Sequence, residues 1–130
     1  MRFGFHLFMV DPDQHLDIAR TADDCGWDSI QVADAPFFPE EISVPYPYTP
    51  DGTRFWPLDM PVLDPWVAIT AMAVVTRRIR FLPSVLRLAI RQPLLEAKSL
   101  FSVAAISNDR VALGVELAWI PAEIKRLGAD

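Results

Sequence analysis

The stretch RFGFHLFMVDPDQHLDIARTADDCGWDSIQVAD, residues 2 to 34, decides the fold. Residues 2 to 8 are almost continuously apolar and rich in aromatics, which suits a strand covered on both faces. Asp11 then caps a helix, Pro12 fits its first position, and Gln14 stands where a capping box places its partner. Leu16, Ala19 and Ala22 repeat at helical spacing, with Ile18 and Cys25 one column over; Asp17, Arg20, Asp23 and Asp24 face water. Gly26 closes the helix in the left-handed cap position. Trp27 to Val32 reads as a second strand that ends at Asp34.

The alternation continues outward from that unit. Asp64-Pro65-Trp66 opens a second helix by the same cap-then-proline device. The predicted helix 64–77 is apolar nearly all round, through Val67, Ala68, Ile69, Met72, Ala73, Val74 and Val75, and is expected to be largely buried. Ile79 to Val85 is a third strand with Pro83 inside it, a residue disfavoured in central strands unless the backbone is irregular there. A third helix spans 93–107, with Asn108 as a left-handed cap. Arg110 to Val115 is a fourth strand, and a fourth helix starts at Pro121. The order βαβαβαβα means a parallel sheet. A small doubly wound sheet closes with this many units, whereas an eight-stranded barrel takes about 250 residues, of which this chain is half. Both architectures put chemistry at the carboxyl ends of the strands. Those ends are Phe8 to Asp11, Asp34 with the long loop after it, Ser84 to Arg91, and Glu116 to Trp119.

Residues 35–63 show no period. Eight of the twelve prolines lie between 36 and 65, and seven of the fourteen aromatics between 37 and 66. The competing reading, a disordered linker, would leave Phe37, Phe38, Tyr46, Tyr48, Phe55 and Trp56 in water. An ordered lid or binding loop is the better expectation. A loop of this kind over strand ends suits a large, flat, mostly apolar ligand with few polar anchors.

Composition bounds the rest. A chain of 130 residues is one domain or a piece of one. A net charge of -5 argues against nucleic acid as a partner. With 52% apolar and 22% charged residues the chain is too hydrophobic to be disordered. Its mean hydropathy of +0.21 implies deep burial or apolar surface that meets a partner. Cys25, the single cysteine, excludes an intrachain disulfide and a multi-cysteine metal site, and reads as a small core residue. No apolar run is long enough to span a membrane, and the start lacks the pattern of a secretion signal, so the cytoplasm is the default expectation.

No glycine-rich phosphate loop, metal spacing, nucleophile elbow or carboxylate pair is present. Of the two histidines, His15 falls in a first helical turn and is expected to be exposed. His6 is either a hydrogen-bonded core residue or a side chain pointing into a pocket. Arg77, Arg78 and Arg80 lie at the amino end of the third strand and read as a solvated turn. Arg87 and Arg91 lie at its carboxyl end, where an anionic ligand is within reach. Asp34 either caps the loop backbone or touches a ligand.

Several segments together resemble the luciferase-like monooxygenase family of TIM-barrel oxidoreductases, which use FMN or the deazaflavin coenzyme F-420. RFGFHLF is similar to their first strand, and ARTADDCGWDSIQVAD to their first helix and second strand. PYPYTPDGTRFWPLDMPVLDPWVAITAMAVVTRRIRF resembles a deazaflavin-dependent subgroup, and SVLRLAIRQPLLEAKSLFSVAAISNDRVALGV the third strand, helix and fourth strand. The likeness runs from about residue 2 to 128 and is carried by many scattered positions. It implies a flavin-type ring held against a bulge with a non-proline cis peptide at Ser84-Val85. It places Asp34 near that ring and lays the loop over cofactor and substrate. The implied cofactor-binding residues are thus Asp34, Ser84 and Val85, with His6 as a further polar contact; no catalytic residue is named. The implied chemistry is hydride transfer with F-420, or oxygenation with FMN, on a small organic molecule.

Two positions depart from the family pattern. Its glycine-rich turn after the fourth strand reads Gly114-Val115-Glu116-Leu117-Ala118-Trp119 here, so Glu116 would repel an anionic cofactor tail. Ala35 stands where some deazaflavin dehydrogenases carry a catalytic histidine. Length departs as well: one domain, 1–130, supplies four of eight βα units. The chain is then a truncated form, a half barrel completed by a second copy in a homo-oligomer, or a relative that folds without catalysing.

Overall fold

The computed structural model describes residues 1–41 and 44–129; residues 42 and 43 of the expected loop, and residue 130, lie outside it. Three parallel strands, β1 (Gly4–Leu7), β2 (Ser29–Val32) and β3 (Arg80–Pro83), pair in that order. Gly4 lies opposite Ser29 and Ser29 opposite Arg80, and the ladder runs up to Leu7, Val32 and Pro83. Beyond it β4 (Leu86–Arg87) pairs in parallel with β5 (Val115–Glu116). Helices α1 (His15–Asp24), α2 (Pro65–Ala73), α3 (Pro93–Ser107) and α4 (Pro121–Arg126) alternate with the strands. The result is an α/β fold of parallel βα units, and its described residues close no barrel.

Strand alternation sorts the two faces. Leu7, Ile30, Val32 and Phe81 turn toward the helices and form the core with Ala19, Ala22, Ala68, Ile69, Met72 and Val103. The other face is polar and close-packed at its base: a Cβ on Gly4 would stand 2.8 Å from Ser29 Oγ and 2.9 Å from Gln31 Nε2. The caps fall where the residues imply. Asp64 accepts from the Trp66 and Val67 amides at 2.9 and 3.1 Å, and Gly26 and Asn108 take positive φ. No described helix is long and apolar enough to cross a membrane.

Five expectations are corrected. His15 is buried, not exposed, because a 3₁₀ turn at Pro12–Gln14 precedes α1 and leaves position 15 on the Ala19–Ala22 stripe. Cys25 is exposed, not core, since it comes after α1 on a flank that no described helix covers. Asp23 does not simply face water: it accepts the amides of Arg77, Arg78 and Ile79 at 2.8, 3.0 and 2.7 Å. The second helix stops at Ala73 instead of residue 77. There Arg110 collects the Ala73, Thr76 and Ile79 carbonyls at 2.7, 3.3 and 3.0 Å. The fourth strand is split. Phe81 N–H donates to Arg110 O and Ala112 N–H to Phe81 O, but the next donor in that ladder would be Pro83, which has no N–H. Pairing resumes only where Leu86 N–H reaches Gly114 O at 2.7 Å.

Candidate functional site

Above the carboxyl ends of the strands lies a cavity of about 270 Å³. The described residues of segment 35–63 form one wall and pack through their aromatic rings. Trp56 meets Phe8, Phe38, Tyr46 and Phe55 at centroid distances of 5.9, 5.8, 4.9 and 5.2 Å, and Tyr46 reaches across to Trp119 at 5.8 Å. Edge-to-face and tilted ring packing of this kind holds aromatics in place without secondary structure. Arg54 ties the segment together by donating to the Pro39 and Glu40 carbonyls. The linker reading is therefore set aside in favour of a packed wall.

All four residues singled out in the sequence line this one cavity: His6, Asp34, Ser84 and Val85. The Ser84-Val85 peptide is cis, at the position the resemblance implies. His6 Nε2 lies 3.2 Å from the Ser84 carbonyl oxygen. A carbonyl only accepts, so Nε2 carries the proton, and His6 steadies the bulge from below.

Asp34 takes a different posture from the free anion a ligand contact suggests. Its side chain is 1% exposed, and both oxygens are engaged. Oδ1 accepts from Arg91 Nη2 at 2.6 Å; Oδ2 accepts from the Arg87 amide at 2.9 Å and from Arg91 Nε at 3.3 Å. Arg91 also donates to Glu96, whose other oxygen accepts from Trp66 Nε1 at 2.7 Å. Burial works against the Arg91 charge, but Asp34 and Glu96 outweigh it and move its pKa up. Arg87 in turn donates to Glu123 and stands 3.4 Å from Glu116. The two arginines within reach of an anionic ligand are thus used internally, fastening the end of β2 to the turn after β3 and to α4. Glu116, expected to repel an anionic tail, faces Arg87 instead.

Sequence reading missed Glu123, Trp56 and Arg87 as a group. Glu123 is 1% exposed although it sits on a short helix beside the cavity. Burial pushes its carboxyl pKa up; Arg87 pulls the other way without cancelling the shift, and Glu116 and Asp34 add to it. Only one of its oxygens is bonded, leaving Oε1 without a partner among the described residues. Trp56 Nε1 and Arg87 Nε are also buried and unpartnered there, because Glu116 approaches Arg87 Nε without the direction of a hydrogen bond. All three residues line the same cavity. The only sequence signal was position: Glu123 comes shortly after Trp119 at the carboxyl end of the fourth strand.

The sequence model of the luciferase-like monooxygenase family matches residues 3–130. The chain belongs to that family. An uncharacterized protein of Mycobacterium tuberculosis is 37% identical over 128 residues, 98% of this chain and 44% of the relative. The chain thus spans less than half the length of that relative. Among solved structures, the oxygenating constituent of 3,6-diketocamphane monooxygenase from Pseudomonas putida, in complex with FMN, is similar at a TM-score of 0.74 and 20% identity. That match covers 98% of this chain and 32% of the other. The coenzyme F-420-dependent tetrahydromethanopterin reductase of Methanopyrus kandleri is similar at 0.67 and 20%, covering 98% and 30%. In the turn after β5, Ala118 takes a positive φ of 57°.

The cavity's residues fit a flavin-type ring. Aromatic side chains supply flat apolar walls, and three of the lining residues, Trp56, Arg87 and Glu123, each keep one buried polar atom without a partner among the described residues.

Proposed function

We propose that this chain is the N-terminal half of a luciferase-like oxidoreductase that binds a deazaflavin, coenzyme F-420, or alternatively FMN, and acts on a small organic substrate. One observation carries the reading: His6, Asp34, Ser84 and Val85, chosen from distant segments, line a single cavity under an aromatic wall. Two structurally similar proteins, one in complex with FMN and one dependent on F-420, support the cofactor class. Ser84 and Val85 would hold the ring, with His6 bonded to the Ser84 carbonyl oxygen. Asp34 positions the turn through Arg87 and Arg91. Tyr46 remains a neutral phenol, its pKa raised by burial and then by Tyr48. Phe8, Trp56 and Trp119 keep water from the reacting face. Bound there, the ring supplies two-electron oxidation or reduction of the substrate, with oxygenation in the FMN case.

A second reading, a non-catalytic half-barrel module that self-associates, draws on Leu94, Leu95, Phe101 and Leu117, all strongly exposed. Absorbance titration of the purified chain with FMN and with F-420, together with its mass in solution, separates the two. Saturable binding of either ring is the expected outcome. No binding of either, with a mass above the monomer's, would leave only the self-associating module.

A further inference from the structure

Three residues that line the cavity each hold one buried side-chain polar atom with no hydrogen-bond partner among the described residues, two donors and one acceptor: Trp56 Nε1–H, Arg87 Nε–H, and Glu123 Oε1. Such atoms are expensive to bury without partners, and it is uncommon for three residues lining one cavity to hold them. Arg87 takes the other Glu123 oxygen, which leaves Oε1 as the free oxygen of this carboxyl and the acceptor of the set. The complement of this set is a flat, uncharged group with two acceptors and one donor. An imide edge, C=O–N–H–C=O, has that composition. FMN and deazaflavins share it at the pyrimidine end of their ring.

We propose that Glu123, Trp56 and Arg87 recognise the imide edge of the bound ring, with Glu123 Oε1 accepting the imide N–H and the two donors meeting its carbonyls. The assignment rests on the cofactor reading above and adds which end of the ring turns toward α4. The edge then lies beside Glu123 and Trp119, while the ring body crosses Ser84 and Val85 toward Phe8 and His6. Glu123 is a binding residue in this scheme and takes no part in electron transfer.

Lumiflavin and 3-methyllumiflavin test it, since they differ only in whether the imide nitrogen carries hydrogen. Both are ring-only and uncharged, so Glu116 and any phosphate site are irrelevant. Binding is read by quenching of ring fluorescence on the 130-residue chain. Lumiflavin is expected to bind at least about tenfold more tightly than its methylated form, the loss of one hydrogen bond to Glu123 Oε1. In Glu123→Leu the ratio falls to near one. In Trp56→Phe, which keeps the aromatic wall and removes one donor, lumiflavin weakens by about five- to tenfold while the preference over the methylated ring persists. Circular dichroism checks that each variant folds; if Glu123→Leu does not, the wild-type ratio and Trp56→Phe still decide. Equal binding of both rings to the wild type overturns this assignment and leaves the cofactor reading standing. Failure of both rings to bind overturns the two together.

Discussion

Asp23 shows how much one side chain holds at the end of the sheet away from the cavity. Its carboxylate receives three consecutive amides, Arg77, Arg78 and Ile79, and so anchors α1 to the entry of β3. Burial raises its pKa, but the three amides and then the Arg78 charge outweigh that, and the net shift is downward. A carboxyl depressed in the folded state stabilises at all pH values above its unfolded pKa of about 3.9, and that contribution fades as pH falls through the folded value. Asp23→Asn, which leaves one oxygen to serve three amides, is expected to cost about 2 kcal/mol at pH 7. Urea unfolding at pH 7 and again near pH 2.5 checks it: the gap between wild type and variant should shrink at the acid end. A gap that stays constant would mean the charge contributes nothing. Asp23 also shows where sequence reading stops. A polar residue on the outer column of an amphipathic helix reads as solvated. Nothing local reveals that a turn more than fifty residues later delivers three amides to it. His15 was misread although its sign was local, for it lies four residues before Ala19 and seven before Ala22 on the buried stripe.

At the scale of elements, helices were the easier reading because their ends are marked. Asp64-Pro65, Gly26 and Asn108 all behave as cap chemistry dictates. The loop's aromatic content announced packing, but its contacts are between rings distant in sequence, which no periodicity encodes. Asp34 could be placed at the chemical face because strand ends in parallel sheets share it, whereas Ser84 and Val85 were named only through the family resemblance. Glu123 could not be placed there, because its burial depends on Arg87 arriving from another unit. The fourth strand failed as one continuous element because its pairing depends on its neighbour's amides, and Pro83 lacks one. Gly114 marks how closely the two segments approach there: a Cβ at that position would stand 2.8 Å from the Pro83 carbonyl oxygen. Backbone on both sides cannot yield cheaply. Gly114→Ala should therefore cost about 1–3 kcal/mol and loosen β4 from β5. Thermal unfolding measures the cost, and ring binding should weaken with it because both strands border the cavity. An unchanged melting temperature would show that β5 can shift away freely.

Across the whole molecule, the sheet has two open flanks. Among the described residues β1 has no partner on its outer side, and Phe5, Ile18, Cys25 and Trp27 border an open groove beside it. On the far flank, Val115 and Leu117 are exposed with much of α3's outer face. The high mean hydropathy found in the sequence is accounted for by these flanks as well as by the core. The break at Pro83 adds a second division, running across the sheet instead of along its edges. Below it, three strands are zipped by an unbroken ladder against a common core. Above it, two residues of β4 meet two of β5, with one side chain, Asp34, tying that pair to β2. The missing amide thus separates two storeys, and the upper one is expected to open more readily. Hydrogen exchange should find the Ile30, Val32 and Phe81 amides opening only with global unfolding, while Leu86 exchanges through a smaller and faster opening. Uniform protection in both storeys would contradict this. An opening confined to the upper storey would widen the cavity beside Arg87 and Glu116 while the ladder below stays shut.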